Sequence, residues 1–335
     1  MTPVPEPIER GEYPTAALMA GYRPAWGHPN KQVVFEIACP PGAMHRGQLA
    51  FSRWAAMALP ETVEAAHAAS MVRVQDGFYD YAPAPGQQAG MEWHVNFADP
   101  HLFVAYASSL FAQDEMQVAE HPALGALRET LIAHGLRAVT IEKCEPTPVL
   151  VMGVERRCRI ATDPDATEGR ASGLYGNAFA SADADAVRRA TTPIDPPTTT
   201  NLVAMAAPRG GPGPYRAGEI KGALTTAFTG FRAATLESRR ERGPGTPVAV
   251  HTGYWGCGAF GGNRVLMALL QVVAARLAKL DLLVFHVGGR GGRAPLEEAL
   301  RRVDGDLPIG EVGSVRDALH RIEAMRFEWG VGDGN

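Results

Sequence analysis

The sequence feature that most constrains the fold is a glycine-rich loop at residues 250–263, which reads Val-His-Thr-Gly-Tyr-Trp-Gly-Cys-Gly-Ala-Phe-Gly-Gly-Asn. It follows a strand-like run at 247–250 and precedes an apolar, helix-like run at 265–280, so it joins a buried strand to a buried helix. Glycine at this density lets another molecule approach the main chain, and the positive end of the following helix lies beside the same loop. The loop therefore predicts a diphosphate site. A glycine turn that serves only tight packing is the alternative, because glycine spacing alone is a weak signal.

Three aromatic side chains within the loop favour the binding site. The rings of Tyr254, Trp255 and Phe260 stand between glycines, where large rings are typical walls for a sugar or a base. The loop lacks the Gly-Lys-Ser/Thr of a Walker loop. It is also not followed, about 20 residues later, by the acidic strand end of a dinucleotide fingerprint.

Composition indicates a globular protein without a nucleic-acid or membrane partner. The 335 residues are 46% hydrophobic and 20% charged, enough to bury a large core, and the net charge of −4 argues against a nucleic-acid coat. The four cysteines are widely spaced, so neither a zinc site nor a disulfide framework is indicated. The amino-terminal residues are proline-rich and acidic, unlike a signal segment, which favours the cytoplasm. We expect no metal and no cofactor, and the oligomeric state stays open.

Alternating strand-like and helix-like runs from about residue 91 onward predict a three-layer α/β fold. The strand-like runs are 94–98, 139–142, 149–154, 202–205, 248–250 and 282–287. The helix-like runs are 123–133, 219–236, 265–280 and 315–325. Long polar or proline-rich loops are expected at 162–172, 183–200 and 209–214.

The first 90 residues lack a cluster of potential catalytic side chains. We interpret residues 1–90 as an amino-terminal arm and a mainly helical accessory region, and residues 91–330 as the catalytic domain. Within the first part, residues 1–30 form the arm and 32–38 a strand, and residues 48–69 form two helices separated at Pro60.

A second group of polar residues, Gln113, Asp114 and Glu115, follows the apolar pair Leu110 and Phe111. Paired carboxylates in apolar surroundings raise each other's pKa, so that one of them holds a proton near neutral pH. A general acid needs this protonated state. A solvated acidic turn explains the same residues, and on the sequence pattern alone it is the favoured interpretation.

The glycine-rich loop resembles that of the poly(ADP-ribose) glycohydrolases, the macrodomain hydrolases that cleave ADP-ribosyl chains. Twelve consecutive positions, 252–263, match the family's Thr-Gly-Asn-Trp-Gly-Cys-Gly-Ala-Phe-Gly-Gly-Asp except at Tyr254 and Asn263. The family's Val-Asp-Phe-Ala-Asn strand is similar to residues 95–99, and its Gln-Glu-Glu triplet to residues 113–115. Residues 174–179 resemble the family's Gly-Tyr-x-x-x-Phe segment. The resemblance extends over about residues 90–325 and implies a macrodomain-like mixed sheet flanked by helices.

The resemblance also implies roles for individual residues. Glu115 stands where the family has its catalytic acid, and Asp114 is expected to position a ribose hydroxyl and to raise the pKa of Glu115. The expected substrate-binding residues are Asn96, Phe97, Asp99, Gln113, Tyr175, Gly253, Tyr254, Trp255, Gly256, Cys257, Gly258, Ala259 and Phe260. The partner is an ADP-ribosyl compound, and the tyrosine of the family segment, here Tyr175, lies along the adenine.

The chain departs from the family most clearly beside the expected acid. No glycine occurs from Pro100 to Leu124, so the family's Gly-Gly-Gly is replaced by residues such as Val104, Ala105 and Tyr106. The side chains of this segment, with the rings of Phe103, Tyr106 and Phe111, are expected to narrow this approach, which favours a mono-ADP-ribosyl or NAD-derived small substrate over the polymer. Other departures are the exchanged acid and amide at Asn96 and Asp99, and Val287 in place of an aromatic residue.

Two functions from different classes stay open. The first is a metal-independent hydrolase that cleaves at the anomeric carbon of an ADP-ribosyl compound, with Glu115 as the general acid. The second is a module that binds ADP-ribose or a nucleotide without turnover. Glu115 favours the enzyme, and the absent glycines favour the binding module.

Overall fold

A computed structural model describes residues 4–62, 71–83, 90–289, 291–307 and 315–334. The strands are β1 (Glu9–Pro14), β2 (Gln48–Arg53), β3 (Val72–Gln75), β4 (Met91–Ala98), β5 (Ile141–Glu142), β6 (Glu145–Pro146), β7 (Val149–Ile160), β8 (Thr191–Ala206), β9 (Val248–Thr252) and β10 (Leu282–His286). The helices are α1 (Thr15–Gly21), α2 (Pro29–Ala38), α3 (Gln113–Glu120), α4 (Ala123–Ala133), α5 (Asn177–Ser181), α6 (Ala184–Ala190), α7 (Ala217–Arg242), α8 (Arg264–Ala278), α9 (Arg293–Asp306) and α10 (Val315–Ala324).

The described residues form one large mixed sheet with eight strands in the order β1-β2-β7-β8-β4-β9-β10-β3. Strands β8, β4, β9, β10 and β3 are parallel, whereas β1, β2 and β7 add antiparallel pairs at one side. Because the carboxyl ends of parallel strands meet at one edge, the loops after β4, β8 and β9 share that edge. The sheet thus brings the expected acid and the glycine-rich loop to the same side of the molecule.

Alternate side chains of each strand enter different hydrophobic layers. In β4, Trp93 and Val95 join the layer beneath α7 and α8, whereas Ala98 joins the layer beneath α1 and α4. Both sheet faces are therefore covered by helices. This confirms the predicted α/β fold with a large central sheet flanked by helices.

One part of the second face is polar. His94, His251 and His286 lie on the adjoining strands β4, β9 and β10, and the ring of His94 stacks on that of His251 at 4.3 Å. Tyr79 and Tyr81 cover them, with ring centroids 4.9 Å and 4.7 Å from those of His286 and His94. Burial lowers the pKa of His286 to about 4 and holds the pKa of His94 well below its ordinary value. The rings of His94 and His286 are therefore neutral at neutral pH.

The prediction of a mainly helical amino-terminal region is wrong. Residues 4–62 and 71–83 supply β1, β2 and β3 to the central sheet, as well as α1 and α2. The predicted strand at 32–38 is helix α2, and the first predicted helix begins instead with strand β2. Residues 48–53 form the strand β2 because they pair with β7, and such long-range contacts outweigh local periodicity. Residues 63–69 of the second predicted helix lie outside the described part. The domain boundary after residue 90 stays a prediction, and strands from both sides of it share the sheet.

The later elements follow the prediction closely, with two exceptions. Helix α4 has the predicted bounds, and α7, α8 and the strands β4, β7, β9 and β10 lie where the periodicity indicates. The expected loop at 183–200 is instead helix α6 and the first half of β8. Its prolines are tolerated because this half of β8 pairs on one side only, with β7, among the described strands. Of residues 139–142 only β5 is strand, in a separate two-stranded sheet. No described helix combines the length and the apolar character that crossing a membrane would require.

Candidate functional site

The acid turn, residues 112–115, begins helix α3 and is attached directly to the end of β4. The Gln113 side chain donates to the Val95 carbonyl at 3.1 Å and accepts from the Phe97 amide at 2.8 Å. Its amide group thereby takes the place of a neighbouring strand, just beyond the last pairing of β4 with β9 at His94 and His251. The position of the acid turn is therefore determined by the sheet and not by a flexible loop.

Glu115 and Asp114 are both buried, with exposed fractions of 4% and 6%. One carboxyl oxygen of Glu115 accepts from the Ala112 amide at 2.9 Å, which caps the first turn of α3. Asp114 accepts from the Asn96 side chain at 3.0 Å. Burial raises the pKa of both carboxyl groups, and the charge of Glu115 raises that of Asp114 further. The pair has the raised pKa that a proton donor requires, so the solvated-turn interpretation does not hold.

Lys31 of helix α2 is a fully buried cation near this pair. Its ammonium group donates to the carbonyls of Tyr106 at 2.7 Å and Ala105 at 3.2 Å. Burial lowers the pKa of Lys31 to about 8, while the charges of Glu115 and Asp114 raise it. The same lysine thus anchors the segment that replaces the family's glycine triplet and supplies positive charge close to the acid.

The side chains of that segment do not narrow the site in the expected way. Phe103, Tyr106 and Phe111 are buried in the core, with at most 2% of each exposed. The Tyr106 hydroxyl donates to Glu129 at 2.7 Å, and Phe111 stacks on Phe179 at 3.7 Å. Val104, 45% exposed, is the large side chain of this segment that faces outward. The expectation that the three rings close the approach is therefore wrong, because they pack inward.

The glycine-rich loop is held by its own main chain and by the core beneath it. Trp255 is fully buried and donates to the Met205 carbonyl at 2.9 Å, so its ring supports the loop from below and forms no wall of a site. Gln271 of α8 donates to the Gly253 carbonyl at 3.0 Å. Asn263 caps α8 by accepting from the amides of Val265 and Leu266, both at 3.1 Å. A substitution of Asn for the family's Asp retains this cap.

Main-chain amides are the groups that the loop can offer to an anion. Its internal bonds use the amides of Trp255, Cys257, Gly261 and Gly262. The amides of residues 258–260 take no part in these internal bonds. A Cβ atom at Gly256 would lie 2.4 Å from that of Ala207, so this glycine is required by packing.

Tyr175 connects the acid turn to the glycine-rich loop. The amide of the next residue, Gly176, donates to the Phe111 carbonyl at 2.8 Å just before the acid turn, and the Tyr175 hydroxyl oxygen lies 3.9 Å from an ideal Cβ position on Gly258. Burial, followed by the charges of Asp333 and Glu115, raises the pKa of this hydroxyl to about 12. The predicted acid, the predicted adenine contact and the predicted phosphate loop therefore converge.

Asn96 and Asp99, where the chain has the family's acid and amide in reverse order, make different contacts. Asn96 is fully buried and donates to Asp114 and, at 2.9 Å, to Gln117, so it supports the acid turn from within the protein. Asp99, beyond the strand, forms a 2.7 Å ion pair with Arg209, whose guanidinium group lies 5.1 Å from the centroid of the Phe260 ring. These contacts join the loops after β4, β8 and β9.

The remaining predicted residues line the loop without approaching the acid turn as closely. Phe97 is half-buried, with its ring tip 3.5 Å from an ideal Cβ on Gly253. The Tyr254 hydroxyl donates to the Gly292 carbonyl, away from Gly258. Cys257 is half-buried, and burial raises its pKa to about 12, so it is an unreactive thiol. Ala259 is exposed.

Sequence reasoning missed three contributors, which are Lys31, Arg209 and a segment at 327–333 that crosses the glycine-rich loop. Lys31 directly precedes the run at 32–38 that was interpreted as a strand. Arg209 lies in a predicted loop, but its contacts with Asp99 and Phe260 depend on tertiary structure. Among the described residues, no cluster of three or more histidine, cysteine or carboxylate side chains could hold a metal ion.

Solved structures of bacterial proteins resemble the whole chain at a low level. Poly(ADP-ribose) glycohydrolase from Thermomonospora curvata aligns with a TM-score of 0.42 and 16% identity, over 82% of this chain and 98% of that chain. The Deinococcus radiodurans enzyme in complex with ADP-ribose aligns with a TM-score of 0.42 and 12% identity, over 86% of this chain and 96% of that chain. Likeness at this level does not support an inference about the site.

A family match gives the firmer result. Residues 149–291 match the family described as poly(ADP-ribose) glycohydrolase, macro domain fold. The matched segment runs from β7 past β10 and contains the whole glycine-rich loop, whereas the acid turn and Lys31 precede it. The loop thus agrees with the family in both sequence and context, apart from Tyr254 and Asn263, and the absent glycine triplet lies on the acid side. Over this part of the chain, the match supports a divergent member of the poly(ADP-ribose) glycohydrolase family.

Proposed function

We propose that the protein hydrolyses the bond at the anomeric carbon of an ADP-ribosyl compound, with Glu115 as the general acid. The single observation that supports this proposal most is the position of Tyr175, whose hydroxyl lies beside Gly258 and whose neighbour Gly176 donates to the Phe111 carbonyl just before the acid turn. A ligand with its diphosphate on the glycine-rich loop would therefore extend its terminal ribose toward a buried carboxyl group whose pKa is raised.

Each part of the ligand has a proposed partner. The amides of residues 258–260 hold the diphosphate. The Phe260 side chain and the main chain of residues 253–257 surround it. Tyr175 lies along the adenosine half. Asp99 and Phe97, at the end of β4, face the ribose at the reacting end. Asn96, being buried, acts through Asp114 and not on the ligand directly.

Catalysis follows from the protonation state of Glu115. Its carboxyl group donates a proton to the leaving-group atom as the bond to the anomeric carbon breaks, and positive charge develops on the ribose ring. The resulting carboxylate then accepts a proton from the water that adds to the anomeric carbon, which restores the acid. Asp114 orients a ribose hydroxyl and helps to keep the pKa of Glu115 raised. No step requires a metal ion, so we expect turnover to persist in EDTA.

The acceptor side is the least constrained part of the proposal. A mono-ADP-ribosylated side chain or a small NAD-derived compound remains our preferred substrate class over the polymer. The support is narrower than the sequence indicated, because it now depends on the absent glycines and on the outward-facing Val104. The proposed setting is the cytoplasm and its NAD metabolism.

The alternative is a module that binds ADP-ribose without turnover. The observation in its favour is the departure of residues 104–106 from the family's glycine triplet. The ordered, buried acid turn favours the enzyme.

A release assay tests the proposal. The protein is incubated separately with poly(ADP-ribose), mono-ADP-ribosylated protein and small ADP-ribosyl glycosides derived from NAD, with and without EDTA, and free ADP-ribose is measured. Release from the smaller substrates, insensitive to EDTA, is the expected result. Binding of ADP-ribose with no release from any substrate would identify the binding module. Fast release from the polymer alone would contradict the preferred acceptor class.

A further inference from the structure

A segment at residues 327–333 lies along the glycine-rich loop in a regular antiparallel arrangement. Its first part pairs with the loop after β8, where the Tyr215 amide donates to the Phe327 carbonyl at 2.8 Å and the Trp329 amide to the Gly213 carbonyl at 3.1 Å. Trp329 also stacks on Tyr215 at 3.7 Å. The beginning of the segment is therefore firmly attached beside the site.

The second part of the segment pairs with the glycine-rich loop itself. The Gly330 amide donates to the Gly261 carbonyl at 2.8 Å, and the Asp333 amide lies 3.4 Å from the Gly258 carbonyl. An ideal Cβ on Gly332 would lie only 2.6 Å from the Ala259 carbonyl oxygen, so the two main chains are in direct contact. The pairing thus runs in register from Gly261 back to Gly258.

This register places a carboxylate over Gly258. The Asp333 Oδ2 atom lies 3.1 Å from an ideal Cβ position on Gly258, and the Tyr175 hydroxyl lies 3.9 Å from the same point. Gly258 is where the proposed function requires a phosphate to approach the main chain. A carboxylate and a phosphate a few ångströms apart repel each other strongly, so both cannot occupy this position.

We propose that residues 330–333 are an intramolecular ligand of the glycine-rich loop, with the Asp333 carboxylate in the position of a substrate phosphate. The inference rests on the proposed function, since it concerns the same anion site. A diphosphate-bearing substrate must displace this part of the segment, while Trp329 remains stacked on Tyr215 as the point of attachment. The apparent affinity for ADP-ribose is then reduced by the fraction of molecules in which Asp333 occupies the loop.

The test compares the full-length protein with Asp333→Asn and with a matched control. Glu328→Gln removes one negative charge from an exposed side chain of the same segment, and the main chain of Glu328 pairs with Pro214 and accepts from the Asn263 side chain at 3.0 Å. In calorimetric titrations with ADP-ribose, we expect Asp333→Asn to bind about five-fold more tightly or better, and Glu328→Gln to bind like the wild type. If Asp333→Asn binds ADP-ribose more weakly than the wild type, the carboxylate contacts the ligand favourably. If the two proteins bind equally, the carboxylate does not occupy the site. Either result overturns the inference.

Hydrogen exchange provides a second, independent measurement. In the wild type saturated with ADP-ribose, we expect the amides of Gly330 and Asp333 to exchange faster than in the free protein. Slower or unchanged exchange would overturn the inference, because the segment would have stayed in place. If neither the wild type nor Asp333→Asn binds ADP-ribose, the proposed function fails. The inference is then tested by hydrogen exchange of the variants without ligand. Faster exchange of these amides in Asp333→Asn than in Glu328→Gln supports it, and equal exchange contradicts it.

Discussion

The glycine-rich loop and the acid turn follow neighbouring parallel strands, β9 and β4, but they are built by different means. The loop offers main-chain amides, and its one large buried ring, Trp255, lies beneath it in the core. The acid turn depends on side chains, with Gln113 fitted into the end of the sheet and Lys31 bonded to the adjacent carbonyls. Side chains thus form the second region, whereas the first offers its own main chain.

This difference explains where the chain agrees with its family. A loop whose function resides in its main chain tolerates few changes, since added side chains collide with the ligand or with packed neighbours. A turn that depends on side-chain support can be rebuilt, provided that another element supplies the support. Helix α2 does so here through Lys31. The comparison predicts that substitutions in the two regions will fail in different ways.

Glu115→Gln is expected to have the largest effect. The amide keeps the size of the side chain but cannot transfer a proton, so turnover should fall by about two to four orders of magnitude. Affinity for ADP-ribose, measured by calorimetry on the same preparation, should change far less. A variant that retains more than about a tenth of the activity would place the acid elsewhere.

Gly258→Val, in the glycine-rich loop, is expected to lower the affinity for ADP-ribose, whereas Glu115→Gln lowers turnover. A side chain at this position occupies the approach of the phosphate, so ADP-ribose affinity should fall by about ten-fold or more, while the fold is retained. Adenosine, which lacks the diphosphate, should bind weakly to both proteins. Gly245→Val is the matched control, because a Cβ at this exposed glycine meets no atom within 4 Å. Unchanged affinity of Gly258→Val for ADP-ribose would show that the diphosphate does not bind on the glycine-rich loop.

Lys31→Met tests the support of the acid turn. Two buried carbonyls lose their donor, so the free energy of unfolding should fall by about 1–3 kcal/mol. The positive charge of Lys31 lowers the pKa of Glu115, so its removal raises that pKa further. Because Glu115 acts in its protonated form, activity is lost as pH rises through its pKa, and the alkaline limb of kcat should move to higher pH. Lys221→Met, at an exposed site on α7, should change neither quantity. If the alkaline limb of kcat does not move, the charge of Lys31 does not influence the pKa of the catalytic acid.

Trp255→Phe should have the smallest effect on affinity. The change removes the donor to the Met205 carbonyl, which lowers stability by about 1–3 kcal/mol, but the ring has no contact with the proposed ligand. Thermal unfolding and calorimetry measure the two effects. Phe260→Ala, which alters a half-buried ring in the same loop, should instead weaken ADP-ribose binding. A loss of affinity in Trp255→Phe that equals the loss in Phe260→Ala would contradict the main-chain account of the loop.

What could be predicted from the sequence follows the same division. The loop, the strand before it and helix α8 were predictable, because glycine spacing and a long apolar run are local signals. Residues 32–38 were interpreted as a strand, yet form part of α2, whose buried side chains join the core next to the site. The inward orientation of Phe103 and Tyr106, the strand β2 and the position of Asp333 depend on contacts distant in sequence. No pattern within a short window contains that information.

A crystal structure of the protein with ADP-ribose tests the central claim most directly, which is that the two regions hold one ligand between them. We expect the diphosphate on the amides of residues 258–260, the adenosine beside Tyr175 and the anomeric carbon of the terminal ribose within reach of the Glu115 carboxyl group. The Asp333 carboxylate should have left its position over Gly258. A ligand bound away from the loop, or one whose terminal ribose points away from Glu115, would contradict the account.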